Sequence, residues 1–131
     1  MKAVCSPLSP VDAIVTASIQ SPACLDDLLA RVVDIVACDR PFGVVLVVHG
    51  VVLERSSFAA IRRLPGGRAR FGTWCRGVGY VFETSAAQAA ARRHLFEARY
   101  LWGSRIFVTR ATDDATVWLL GEFHRYAAGR S

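Results

Sequence analysis

The stretch that most constrains this sequence is Val44-Val45-Leu46-Val47-Val48, set between Pro41-Phe42-Gly43 and His49-Gly50. A short aliphatic, largely β-branched run without alternation is the pattern of a strand buried on both faces, and it falls far short of the roughly 20 residues that span a membrane. The pattern predicts an interior strand in a sheet flanked by helices. Beyond its carboxyl end at His49-Gly50 the chain reaches Ser56-Ser57, which can cap a short helix carrying Phe58, Ile61 and Leu64 inward. Ligands of open α/β sheets gather outside the carboxyl ends of the strands, so the passage from His49 to Phe58 is the first place to expect a site.

The rest of the chain alternates in the same way. Residues 1–10, with two prolines and two serines, read as a loose arm, and residues 11–128 as one domain. Asp12–Gln20 is rich enough in β-branched residues for a first strand. Ser21-Pro22 offers an N-cap and a proline at the first helical position; Leu25, Leu28, Leu29, Val32, Val33 and Val36 then keep a helical period until Asp39-Arg40-Pro41 ends it. Pro65-Gly66-Gly67 halts the short helix after Phe58, and Arg68–Thr73 reads as an irregular basic loop. Cys75–Glu83 resumes as a strand whose glycines admit a close neighbour. Ser85 with Gln88 fits a capping box, and the helix runs on to about Leu101. Arg105–Thr109 makes a last strand, and Thr112-Asp113-Asp114 opens a last helix along Ala115, Trp118, Leu119 and Phe123. The order βαβαβαβα predicts a single small α/β domain with a four-stranded, mainly parallel sheet and right-handed crossovers.

Composition narrows the function classes. With 53% apolar and 21% charged residues the chain can bury a core without metal or disulfide help. The four cysteines, Cys5, Cys24, Cys38 and Cys75, show no CxxC and no zinc-ligand spacing, and Cys24 and Cys38 share one helix where they cannot bridge. They read as reduced thiols of a cytoplasmic protein, and Met1–Pro10, with one Lys and no apolar run, does not read as a secretory signal. Charge is lopsided: no acid falls between Arg55 and Phe82, whereas Arg55, Arg62, Arg63, Arg68, Arg70 and Arg76 do. Such a face suits an acidic protein, anionic lipid or nucleic acid, although arginines on a solvated surface account for it equally.

Neither GxGxxG nor GxxxxGK[ST] is present, so no cofactor is expected from a glycine-rich phosphate loop, and no metal cluster or catalytic constellation stands out. His49 is the better placed histidine; His94 lies on the apolar face of its helix and reads as packed.

The element order, together with Gly50-Val51-Val52-Leu53-Glu54-Arg55-Ser56-Ser57 leading into a helix, and with Val78–Phe82, Arg105–Val108 and Thr112-Asp113-Asp114-Ala115 behind it, resembles the STAS domain of anti-sigma factor antagonists. The resemblance covers about Asp12 to Tyr126. It implies a SpoIIAA-like fold and a bacterial regulatory module that binds a protein partner. It also implies that Ser57 matches the serine phosphorylated by a partner kinase. Arg55 stands where that family carries an acid, and Phe58 where it carries glycine.

Two functional expectations follow. The first is a non-catalytic interaction module, able to pair with itself, that uses His49, Arg55, Ser56, Ser57 and Phe58 together with Arg68, Arg70 and Trp74 of the basic loop. The second is a small-ligand or lipid-binding domain, or an enzyme, with a pocket under the Ser85–Leu101 helix lined by Phe58, Tyr80, Phe96 and Trp102. A nucleic-acid interface ranks third and requires the arginines to converge on one face.

Overall fold

The computed structural model describes residues 13–51, 53 and 55–129. The expected arm (residues 1–10), the start of the first strand at Asp12, Cys5, and Val52 and Glu54 of the loop lie outside the described residues. The strands are β1 (Ile14–Ile19), β2 (Phe42–Val48), β3 (Cys75–Val81) and β4 (Ile106–Thr109), all parallel in the spatial order β1-β2-β3-β4. The aliphatic run is interior as its sequence requires: β2 lies between β1 and β3, and only Val47 of its seven residues is less than fully buried.

Sequential parallel order has a consequence for layering. Right-handed crossovers that always step the same way put every connection on one face of the sheet. Helix α1 (Pro22–Val36), the 3-10 turn Arg55–Phe58 with α2 (Ala59–Arg62), α3 (Gly67–Trp74), α4 (Ser85–Ala90) and α5 (Arg92–Trp102) belong to those connections. Their apolar sides meet Val44, Leu46, Val48, Val78, Tyr80 and Phe82 in one large core. The opposite face is left to the last helix, α6 (Thr112–Gly129), which covers Val45 and Val81 with Ala115, Leu119 and the half-buried Trp118. Glycines let it approach: a Cβ at Gly43 would meet Leu119, one at Gly77 the Trp118 ring, and one at Gly79 the Ala115 methyl.

Local chemistry departs from the sequence reading in several places. Arg68–Thr73 is helical within α3, because Gly66 in a left-handed conformation (φ 86°) starts a new helix in place of a loop. The long helix is broken at Ala91 into α4 and α5, and its N-cap is Thr84, whose hydroxyl accepts from the Ala87 amide at 3.1 Å. Ser56 and Ser57 do not cap α2; they sit inside the 3-10 turn, and Phe58 occupies the cap position. Asp39, held by Arg70 at 3.2 Å, takes the left-handed turn (φ 52°) between α1 and β2. Cys24 and Cys75 are free thiols as expected, but Cys38 is disulfide-bonded. The helix geometry that forbids a Cys24–Cys38 bridge said nothing about other partners.

Candidate functional site

The carboxyl edge of the sheet presents a shallow groove of about 430 Å³, lined by Val48, His49, Gly50, Glu83, Thr84, Ala86, Ala87 and Ala90. Parallel pairing builds it. His49 follows β2 and Glu83 follows β3, so both strands deliver a polar side chain to the same rim, with the N-terminal turn of α4 beside them. His49, Gly50, Glu83 and Thr84 are all exposed. Gly50 turns the chain away at φ 65°, a conformation that residues with a Cβ rarely adopt. Ser18 joins from β1: its hydroxyl lies 2.7 Å from His49 Nε2. Sequence reasoning missed Ser18 and Glu83 because neither sits near His49 in the chain; only the register Ser18↔Val47 and the neighbouring end of β3 bring them in.

The Ser18–His49 contact has the distance of a nucleophile–base pair. Among the described residues, however, no carboxylate bonds to the imidazole to fix its tautomer, and both partners face solvent. The pair is suited to offering a hydrogen-bonding edge to a partner.

The other expected residues do not assemble around His49. Arg55 reaches Glu97 of α5 at 3.8 Å, and Phe58 is fully buried against His94 and Trp102. Arg68 lies over the Tyr100 ring and donates to its carbonyl at 2.7 Å, Arg70 holds Asp39, and Trp74 packs half-buried on the main core. Helix α3 leads directly into β3, so these last three residues belong to the amino edge, at the opposite end of the strands from His49. The aromatic pocket is likewise filled: Phe58, Phe71, Tyr80 and Trp102 pack on one another, and Phe96 points to solvent at 92% exposure.

At the centre of that cluster lies a polar chain that the sequence did not reveal. The Trp102 indole, which can only donate, gives its proton to the Tyr80 hydroxyl at 2.7 Å. Within this chain the buried Tyr80 hydroxyl proton has its partner in His94 Nε2, and assigning Tyr80 as the donor places the proton of neutral His94 on Nδ1. Burial raises the Tyr80 hydroxyl, against the opposing Trp102 hydrogen bond. Burial also lowers His94 from 6.5 to about 4, with the nearby Glu97 carboxylate opposing. His94 opens onto a small cavity of about 270 Å³ shared with Arg55, Arg93 and Glu97.

This imidazole sets a pH dependence. The unfolded chain takes up the proton near 6.5 and the native one only near 4, so acidification through that window favours the unfolded state. Stability is complete above pH 6.5 and declines toward pH 4, by about 3 kcal/mol for a shift of that size. Chemical denaturation of the wild type and His94→Gln between pH 7 and 4 checks it: the variant is expected to lose most of this slope, and equal slopes would refute the assignment.

Comparison of the chain with protein-family models, with curated protein sequences and with solved structures returns no match. Among the described residues no helix is long and apolar enough to cross a membrane, and no group of three His, Cys, Asp or Glu side chains is placed to hold a metal ion.

Proposed function

We propose that this α/β domain is a non-catalytic interaction module of the STAS-like kind, and that a protein partner engages the carboxyl edge of its sheet around His49. One observation supports this over the internal ligand pocket. The aromatic side chains that would have to line such a pocket close on each other, while the carboxyl edge stays open with His49, Glu83 and Thr84 exposed. A shallow, polar-rimmed groove of this kind offers hydrogen-bonding groups that a folded surface can cover.

The phosphorylation reading of Ser57 is a narrower proposal within this one. Ser57 is partly exposed in the 3-10 turn, and Arg55 two residues earlier is occupied with Glu97. The proposal also places the module in the cytoplasm; the Cys38 disulfide favours an oxidising compartment, and alkylation mass spectrometry of the protein taken from its host decides between them.

A photo-crosslinking residue at position 86 in the groove wall, compared with one at position 117 on the outer face of α6, tests the surface. The expected result is a protein adduct from host extract at position 86 only, weakened about tenfold by His49→Ala, the size of one lost interface hydrogen bond. Equal labelling at both positions, or a copurifying small molecule with no protein adduct, would defeat the proposal.

A further inference from the structure

A cluster of arginines lies at the other end of the strands. A cavity of about 460 Å³ at the amino edge gathers Arg76 from β3, Arg99 from α5, Arg105 from the start of β4, and Arg125 from α6, with Glu122 and Tyr126 of α6 in the same wall. Four separate segments therefore each contribute an arginine to the wall of one concave site. Among the described residues its only carboxylate is Glu122, shared by Arg105 at 3.4 Å and Arg125 at 3.0 Å. Arg99 forms no ion pair among the described residues.

The backbone is shaped to deliver Arg76 there. Phe42 pairs with Cys75 but Val44 pairs with Val78, so three residues of β3 oppose two of β2 and the strand bulges at Arg76-Gly77. Strict alternation back from Tyr80 and Val78 would turn Arg76 into the main apolar core. The bulge instead leaves Cys75 and Val78 facing that core and turns both Arg76 and Gly77 toward α6. Arg76 is 7% exposed, lies 3.4 Å from the Tyr126 ring centroid and donates to the Thr73 carbonyl at 2.9 Å. A charge is thus buried at a strand irregularity, an arrangement that bulges serve when they aim a side chain at a ligand.

We infer that this amino-edge cavity binds a small organic phosphate. Guanidinium forks match the oxygens of a phosphate monoester; Arg99, Arg105 and Arg125 against Glu122 carry two formal positive charges, which a dianion balances and a monocarboxylate does not. The volume exceeds that of a phosphate group and lies within the range of small-molecule sites, leaving room for an organic portion. A nucleic acid backbone fits less well, because the arginines line a concavity and Glu122 in its wall would repel a neighbouring phosphate. The site is separate from the partner surface proposed above and stands or falls independently of it.

Amide chemical-shift titration of the full chain with inorganic phosphate and with ribose 5-phosphate, each against sodium chloride at equal ionic strength, tests the inference. The expected result is saturable shifts at Gly72, Gly103 and Ser104 that chloride does not produce. Arg99→Gln and Arg105→Gln should each weaken binding at least tenfold, while Arg92→Gln, outside the cavity, leaves it unchanged. Arg99 is exposed and unpaired among the described residues, so its variant keeps the fold. Shifts that chloride reproduces, or binding unaffected by both cavity variants, would overturn the site. A single-stranded DNA oligomer that binds more tightly than ribose 5-phosphate and is weakened equally by Arg92→Gln would overturn it in favour of a nucleic-acid face.

Discussion

Trp102→Ala is expected to lower the unfolding free energy by about 4 kcal/mol, measured by urea denaturation at pH 7, a large share of the roughly 5–15 kcal/mol that holds a domain of this kind together. The indole is fully buried, meets Phe58 edge-on at 5.0 Å and packs on Phe71 at 5.6 Å. Removing it opens a cavity at the point where α3, α5 and the 3-10 turn converge on the sheet, and a cavity of that size is not refilled by relaxation alone. Tyr80→Phe separates the polar part from the packing part. It keeps nearly the same shape but leaves the Trp102 N–H and His94 Nε2 without their partner, at about 1–3 kcal/mol for each stranded group. If Tyr80→Phe proves neutral, the Trp102–Tyr80–His94 chain does not stabilise the core, and the tautomer assigned to His94 loses its basis.

Gly77→Val is expected to cost about 3 kcal/mol and to release α6 from the sheet. A Cβ at that position would lie 2.6 Å from two atoms of the Trp118 ring and 3.2 Å from Leu119 Cδ2. The ring cannot swing away, because it stacks on Phe107 at 5.0 Å with an interplanar angle of 11°. Accommodation requires the helix to lift, which exposes Val45, Val81, Ala115 and Leu119, the whole of the smaller core. The control lies in the same helix. Gly121 is exposed, and nothing stands within 4 Å of a Cβ built there, so Gly121→Ala is expected to stabilise by about 0.5–1 kcal/mol through helix propensity. Hydrogen exchange of the α6 amides in both variants distinguishes the outcomes: retained protection in Gly77→Val would mean that α6 docks by some contact other than this groove.

The two predictions differ in how much of each the sequence foretold. The glycines of Cys75–Glu83 announce close approach by their composition alone, and Trp118 and Leu119 follow Ala115 by three and four positions, the spacing of one helix face. That α6 is the element that enters the groove follows only from topology. With the strands in sequential parallel order, every crossover occupies one face, and the final helix alone remains to close the other. The Tyr80–His94–Trp102 chain was harder to foresee, since His94 read only as a packed histidine. Its partners lie 14 positions before it on a strand and 8 after it on α5, and their meeting depends on how α5 sits on the sheet.

The candidate sites divide along the same line. His49 at the end of the interior strand was legible, since a buried aliphatic run must end where polar residues can reach solvent. Its grouping with Arg68, Arg70 and Trp74 was not sound, because proximity in sequence across a crossover becomes separation by the full length of the strands.

By itself the sequence determined whatever short-range physics decides: the doubly buried strand, the period of α1, the glycine-lined approach in β3 and the acidic start of α6. Tertiary structure alone decided which faces the helices cover, which end of the sheet each arginine occupies, and the bulge that turns Arg76 from the core toward α6. The physical reason is that strand register and crossover hand are settled by pairing between distant segments, and a slip of one residue moves a side chain to the opposite face.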